Sequence, residues 1–220
     1  MRWRSAARLV PALALAAGLL APAPAAAAPA LVDAVLAAVD AAPVTAGDVA
    51  LARALGLFGF TPSSPVPIVA ADVERLIRAR LVVDEAERLD IVIGDAELEA
   101  AWRALAERHG GGAALDARLA RSAVEPAWAR RMLRDHLRHE RFAELRFRAF
   151  VFVLEEEVSA ALGPGEHPAE ARDRARERLR SETAERGLAE WVEEAARRAQ
   201  IRRLLPPEAV VSWPWSMPPP

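Results

Sequence analysis

The spacing of apolar residues changes at a few definite places along the chain, and those changes mark its elements. An apolar run from Leu9 to Ala21 follows Arg2, Arg4 and Arg8 and precedes the small-residue stretch Ala23-Pro24-Ala25-Ala26-Ala27-Ala28. A positive start, a short apolar run and A-x-A sites predict a secretory signal peptide over residues 1–27, cut near Ala26 or Ala27. The run is shorter than the roughly 20 residues of a membrane span, so no stable membrane insertion is expected. Val32 to Asp40 then reads as a strand, Ala41-Ala42-Pro43 as a turn and Val44 as the start of a second strand. Thr45 with Asp48 three residues on is an N-cap signature, and a helix is predicted from Ala46 with Val49, Leu51, Ala52 and Leu55 on its inner face.

After the break Gly56-Leu57-Phe58-Gly59-Phe60 and the segment from Pro62 to Pro67, helical periodicity returns at Asp72. Val73, Leu76, Ile77, Leu81 and Ala86 line one face, with Glu74–Arg78 and Asp84–Arg88 as expected i,i+4 pairs on the other. Gly94-Asp95 opens a helix carrying Leu98, Ala101, Trp102 and Leu105, and the triplet Gly110-Gly111-Gly112 ends it. A small helix over Ala114 to Ala120 follows. Pro126 then starts a long helix reaching about Phe147, whose expected buried seam is Met132, Leu133, Leu137 and Leu145. Ala149-Phe150-Val151-Phe152-Val153 is a compact apolar patch, and Glu155, Glu156 and Glu157 after it predict a helix N-terminus.

Gly163-Pro164-Gly165 breaks the chain again, and a strongly charged helix is predicted from Pro168, with six acids and six arginines between Glu166 and Arg186. Balanced charge of this kind makes a solvated helical face. Gly187 is expected to interrupt it, before an apolar stripe of Leu188, Trp191, Val192, Ala195 and Ala199 and a terminal strand from Ile201 to Leu205. From Pro206 to Pro220 the chain is a Pro/Trp-rich tail with Trp213 and Trp215 and no regular element. The predicted fold is mainly α: a multi-helix domain over residues 28–205, in parts 28–160 and 168–205, with a small N-terminal β-hairpin joined by a C-terminal strand.

Composition prunes the chemistry. The chain contains no Cys, and all 29 of its basic side chains are Arg, which leaves no thiol nucleophile, no Schiff-base lysine and no P-loop lysine. The formal charge is −2 for the whole sequence and more negative once the signal arginines are removed, so nucleic acid is not an expected partner. His136, His139 and Glu140 stand at helical spacing without a recognisable third metal ligand, and they are read as ordinary surface residues of an arginine-rich helix. His109 and His167 are read as loop and cap residues. No cofactor and no metal is expected.

Two segments resemble the SurA-type periplasmic chaperones. The first combines Val32 to Val39, Pro43-Val44-Thr45 and Asp48-Val49 with Leu76-Ile77, Glu85-Ala86-Glu87-Arg88-Leu89, Ile91 and Asp95 to Leu98, then Arg131 to Val153 with Glu155 to Val158. The second runs from Arg174 to Leu204, with Arg178-Leu179, Glu190-Trp191 and Ala199-Gln200-Ile201-Arg202. The resemblance implies a chaperone domain built from both ends of the chain. Relatives carry a parvulin-type prolyl isomerase module between these segments, but here only Ser159 to His167 lies there, far short of the ~50 residues a domain needs. Isomerase activity is therefore not expected.

The implied function is that of an ATP-independent periplasmic chaperone whose helices form an apolar cradle for unfolded outer-membrane or secreted chains. The residues offered as client contacts are Leu57, Phe58, Phe60, Trp102 and Trp191, although large apolar side chains at such spacings more often fill a core. Two rivals remain: a prolyl isomerase, and a structural subunit of an envelope assembly.

Overall fold

Thr45 begins the first helix by a reciprocal cap: its Oγ1 accepts from the Asp48 amide at 3.1 Å, and Asp48 Oδ2 accepts from the Thr45 amide at 3.0 Å. The computed structural model describes residues 33–61, 67–122, 124–165, 168–204 and 210–211. Contacts divide the chain into residues 1–32 and 33–220, and every described residue belongs to the second unit. The expected signal segment, His167, Trp213 and Trp215 lie outside the described residues.

Strands β1 (Val35–Val39) and β2 (Ala42–Thr45) form the expected hairpin, turning at Asp40, whose φ is 50°. Two strands alone are marginal in water. The third is β4 (Ile201–Arg203), antiparallel to β1 with Val39 opposite Ile201 and Ala37 opposite Arg203, which gives the order β2-β1-β4. The contact is tied at both ends. Asp40 N–H donates to the Gln200 carbonyl and Gln200 N–H to the Asp40 carboxylate, each at 2.9 Å, and Leu204 N–H donates to the Leu36 carbonyl at 2.9 Å. The N-terminal hairpin is thus joined to a strand from the far end of the described chain.

Among the described residues seven α-helices pack around this sheet: α1 (Ala46–Leu55), α2 (Ala70–Arg88), α3 (Asp95–Arg108), α4 (Gly112–Arg121), α5 (Pro126–Arg146), α6 (Glu155–Leu162) and α7 (Ala169–Arg198). Among them none is long and apolar enough to cross a membrane. Leu51, Leu55, Leu57, Ile77, Val82, Leu105, Leu115 and Leu119 are fully buried, so the core draws on α1, the loop after it, α2, α3 and α4. Phe142 joins α5 to α7, its ring 4.9 Å from Trp191 and 5.9 Å from Phe147.

Four expectations are corrected. Helix α7 runs unbroken through Gly187, which serves a close approach instead: a Cβ there would lie 3.1 Å from Phe147 Cδ1. Leu145 is exposed, because the buried face of α5 turns along its length and Phe142 takes the inward place under α7. Glu74 and Arg78 reach across elements, to Arg203 at 3.0 Å and Glu193 at 2.7 Å, while Asp84 meets Arg80 at 2.7 Å and Arg88 meets Glu85 at 2.6 Å. The tail is not free of regular structure: Val210–Val211 forms β5, antiparallel to β3 (Ile68–Val69).

Candidate functional site

Where the hairpin, the N-terminus of α1 and the N-terminal half of α5 meet over α2, a cleft of about 360 Å³ opens. Its floor is apolar, made by Leu76, Ala79 and Val83 of α2 with Met132 of α5, and Val44 of β2 closes one side. Phe58 and Trp128 wall it, and Asp48, Arg80, Arg131 and Asp135 stand around it. Helical spacing explains the floor: residues 76, 79 and 83 of α2 share one face at three- and four-residue steps.

The polar groups are unequal in what they can offer a ligand. Asp48 is occupied by the Thr45 cap; burial pushes its carboxyl above the usual range and Asp33 adds to this, against hydrogen bonds from Thr45 and Trp128. Asp135 is likewise raised by burial, while Arg138, 3.1 Å away, pulls it down. Arg80 is paired with Asp84 at 2.7 Å. Arg131 has no hydrogen bond or ion pair among the described residues and is exposed, which makes it the free donor of the rim. Gly47 lets Trp128 approach: a Cβ there would stand 2.8 Å from Trp128 Cη2 and 2.8 Å from Asp33 Oδ2.

Phe58 is held by the histidines of α5. Its amide donates to His136 Nδ1 at 3.3 Å, and its ring lies edge-on to His136 and His139 at 5.2 and 5.9 Å. Because Nδ1 accepts, neutral His136 carries its proton on Nε2, which points at Glu140 Oε1 3.3 Å away. The pKa of each histidine is lowered to about 4, by burial first and then by Arg108 for His136 and by His136 for His139. The reading of these residues as ordinary surface groups is corrected: they are the seat of the Phe58 loop. Among the described residues no group of three or more His, Asp or Glu side chains is arranged to hold a metal. His109 is the C-cap of α3 and is buried.

Measured against known proteins, the chain matches no family model and no curated protein.

Of the five aromatic and aliphatic residues singled out in the sequence, only Phe58 lines this cleft. Leu57 and Phe60 are buried in the core beside it, Phe60 under the Arg75 guanidinium at 5.0 Å. Trp102 is buried between α3 and α5 with Arg130 stacked 4.7 Å over its ring. Trp191 borders a separate depression of about 280 Å³ with Leu81, Asp84 and Arg88. Leu57, Phe60 and Trp102, 0%, 9% and 7% exposed, present little surface to a client. Val44, Leu76, Val83, Trp128 and Met132, which do line the cleft, carry no signal that distinguishes them from ordinary core positions in the sequence.

Proposed function

We propose that this protein is an ATP-independent chaperone of the SurA type, acting in the periplasm without a cofactor and without an isomerase module, and that it holds unfolded outer-membrane or secreted chains. The observation that carries the reading is the cleft: an apolar floor, an aromatic wall at Phe58 and a free guanidinium at Arg131 on its rim. Such a site suits an extended polypeptide, whose apolar side chain enters the floor while Arg131 donates to passing carbonyls. Burying one such side chain contributes about 1.5–3 kcal/mol, so a single contact is weak and reversible. Several contacts along one flexible chain raise the effective concentration and retain it. Binding the unfolded state withdraws it from aggregation by mass action, without nucleotide.

The test is suppression of aggregation of an unfolded outer-membrane protein, followed by light scattering without nucleotide. Equimolar chaperone is expected to suppress it, and a photo-crosslinker at position 131 is expected to capture the client. Ala79→Phe, which fills the floor, is expected to remove at least half of the suppression while thermal melting shows the domain still folded. No suppression at several-fold excess overturns the holdase reading, and suppression untouched by Ala79→Phe moves the client off the cleft.

A further inference from the structure

The cleft does not end at Phe58. That residue also borders a second depression of about 220 Å³, where Ala79 of α2 continues the floor and Leu188 and Val192 of α7 join it. His139 and Leu188 in turn border a third depression, of about 620 Å³, which reaches Arg148 between α5 and α7. Helical spacing explains the alignment. Trp128, Met132, Asp135, His139 and Ala143 stand at three- and four-residue steps along one face of α5, and Ser181, Ala184, Leu188 and Val192 do the same on α7. The three depressions form one trough along α5, with Phe58 at the first joint.

Most charged groups beyond Phe58 are already engaged. Arg75 donates to the Gly59 carbonyl at 2.7 Å, Arg78 pairs with Glu193 at 2.7 Å and Arg141 with Glu97 at 2.7 Å. Arg148 pairs with Glu177 and lies 3.7 Å from Glu144. Two carboxylates differ. Glu185 is exposed, borders both outer depressions and has no hydrogen bond or ion pair among the described residues. Glu140 lies 3.3 Å from Nε2 of His136, a ring that burial keeps uncharged at neutral pH. Arg148 acts on Glu185, and Arg108 on Glu140, without a hydrogen bond to it. The trough therefore carries the free guanidinium of Arg131 at one end and two carboxylates with no cation bonded to them toward the other.

We infer that the trough selects extended polypeptide segments in which a basic residue stands about four positions from a large apolar one, the apolar side chain on the floor of the cleft and the basic one at Glu185 and Glu140. This rests on the client reading of the cleft and adds to it a chemical class of client. Geometry sets the spacing. Met132 and Glu140 are eight residues apart on α5, about 12 Å of helix, and an extended chain covers that distance in about four residues. Charge complementarity selects the occupant. A cation meets two carboxylates that lack one, whereas an acidic residue at the same place meets two like charges.

The experiment is fluorescence anisotropy of the full chain with labelled, end-blocked peptides of about ten residues in a Gly/Ser background, each carrying one Phe and, four positions on, Arg, Gln or Glu. The Arg peptide is expected to bind about fivefold more tightly than the Gln peptide and about tenfold more tightly than the Glu peptide, a difference that 1 M salt should largely remove. Moving the Arg next to the Phe is expected to lose the gain. Glu185→Arg is expected to abolish the preference for Arg, and Glu140→Gln combined with Glu185→Arg to turn it toward Glu, while melting temperatures check that the fold is kept. Equal binding of the three peptides, or a preference for Arg that survives the double variant, overturns the inference and leaves the cleft reading standing. If no peptide binds, whether or not sedimentation equilibrium shows a second copy filling the trough, the inference falls, and aggregation suppression with Ala79→Phe decides separately whether the client reading falls with it.

Discussion

The amide of Phe58 donates to Nδ1 of His136 across 78 positions of sequence, at 3.3 Å. This bond ties a glycine-rich turn to the middle of α5 and depends on His136 being neutral. Phe58 itself adopts a left-handed backbone, φ 52°, which a non-glycine residue keeps only when its surroundings hold it there.

Acid is therefore expected to loosen the domain. His136 and His139 have folded pKa values of about 4 against 6.5 for the unfolded rings. Between these values the unfolded chain binds more protons, so stability falls as pH drops from about 6.5 toward 4 and levels off below. From pH 6.5 to 5 the loss should be about 1 kcal/mol or somewhat more per ring. Asp48, Asp135 and Glu140, raised by burial, act in the opposite sense near their own lower range. Urea melts from pH 5 to 7.5 measure the slope, and His139→Gln is expected to flatten it.

Closure by β4 should matter more than the length of that strand suggests. Ending the chain at Arg198 removes the pairing with β1, the bonds of Gln200 to Asp40 and of Leu204 to Leu36, the Arg203–Glu74 contact and the pairing of β5 with β3. At roughly 1 kcal/mol per net hydrogen bond the loss is about 3–5 kcal/mol, a large share of a typical domain's stability. Chemical denaturation of the truncated and full chains compares them directly, and a difference under about 1 kcal/mol would refute the closure argument.

Gly47→Ala is expected to destabilise by about 1–3 kcal/mol, because the new methyl group meets Trp128 and Asp33 at 2.8 Å. Helix propensity alone predicts the reverse sign, a gain of up to about 1 kcal/mol. A thermal melt therefore decides between the two effects. Loss of suppression of client aggregation should accompany it if Trp128 is pushed into the cleft.

Much of the fold was legible in the sequence for local reasons. Thr45 and Asp48 lie within one turn, so the cap can be read from their spacing, and it forms as predicted. The stripes of α2 and α3 follow from 3.6-residue periodicity, since Leu76, Ile77, Leu98 and Leu105 are inward in the structure. Gly187 misled because glycine signals both a break and a close contact, and only Phe147, 40 residues away, distinguishes them. The surface charges misled for a similar reason: Glu74 has a basic residue four positions on, yet Arg203 reaches it from β4.

The candidate site was the least legible part. Phe58 stood out because it sits among glycines, but Val44, Leu76, Val83, Trp128 and Met132 come from separate elements and share no motif. The sequence by itself determined where helices and strands begin, which residues are apolar enough to be buried, and which chemistries have no side chain to perform them. Tertiary structure decided which buried faces meet incompletely and leave a cleft, which histidines lose their water beside Phe58, and which aromatic residues stay outside at Phe150 and Phe152. The physical reason is range. Caps and periodicity act over three or four residues and are written locally, whereas burial depends on every element that packs against a surface.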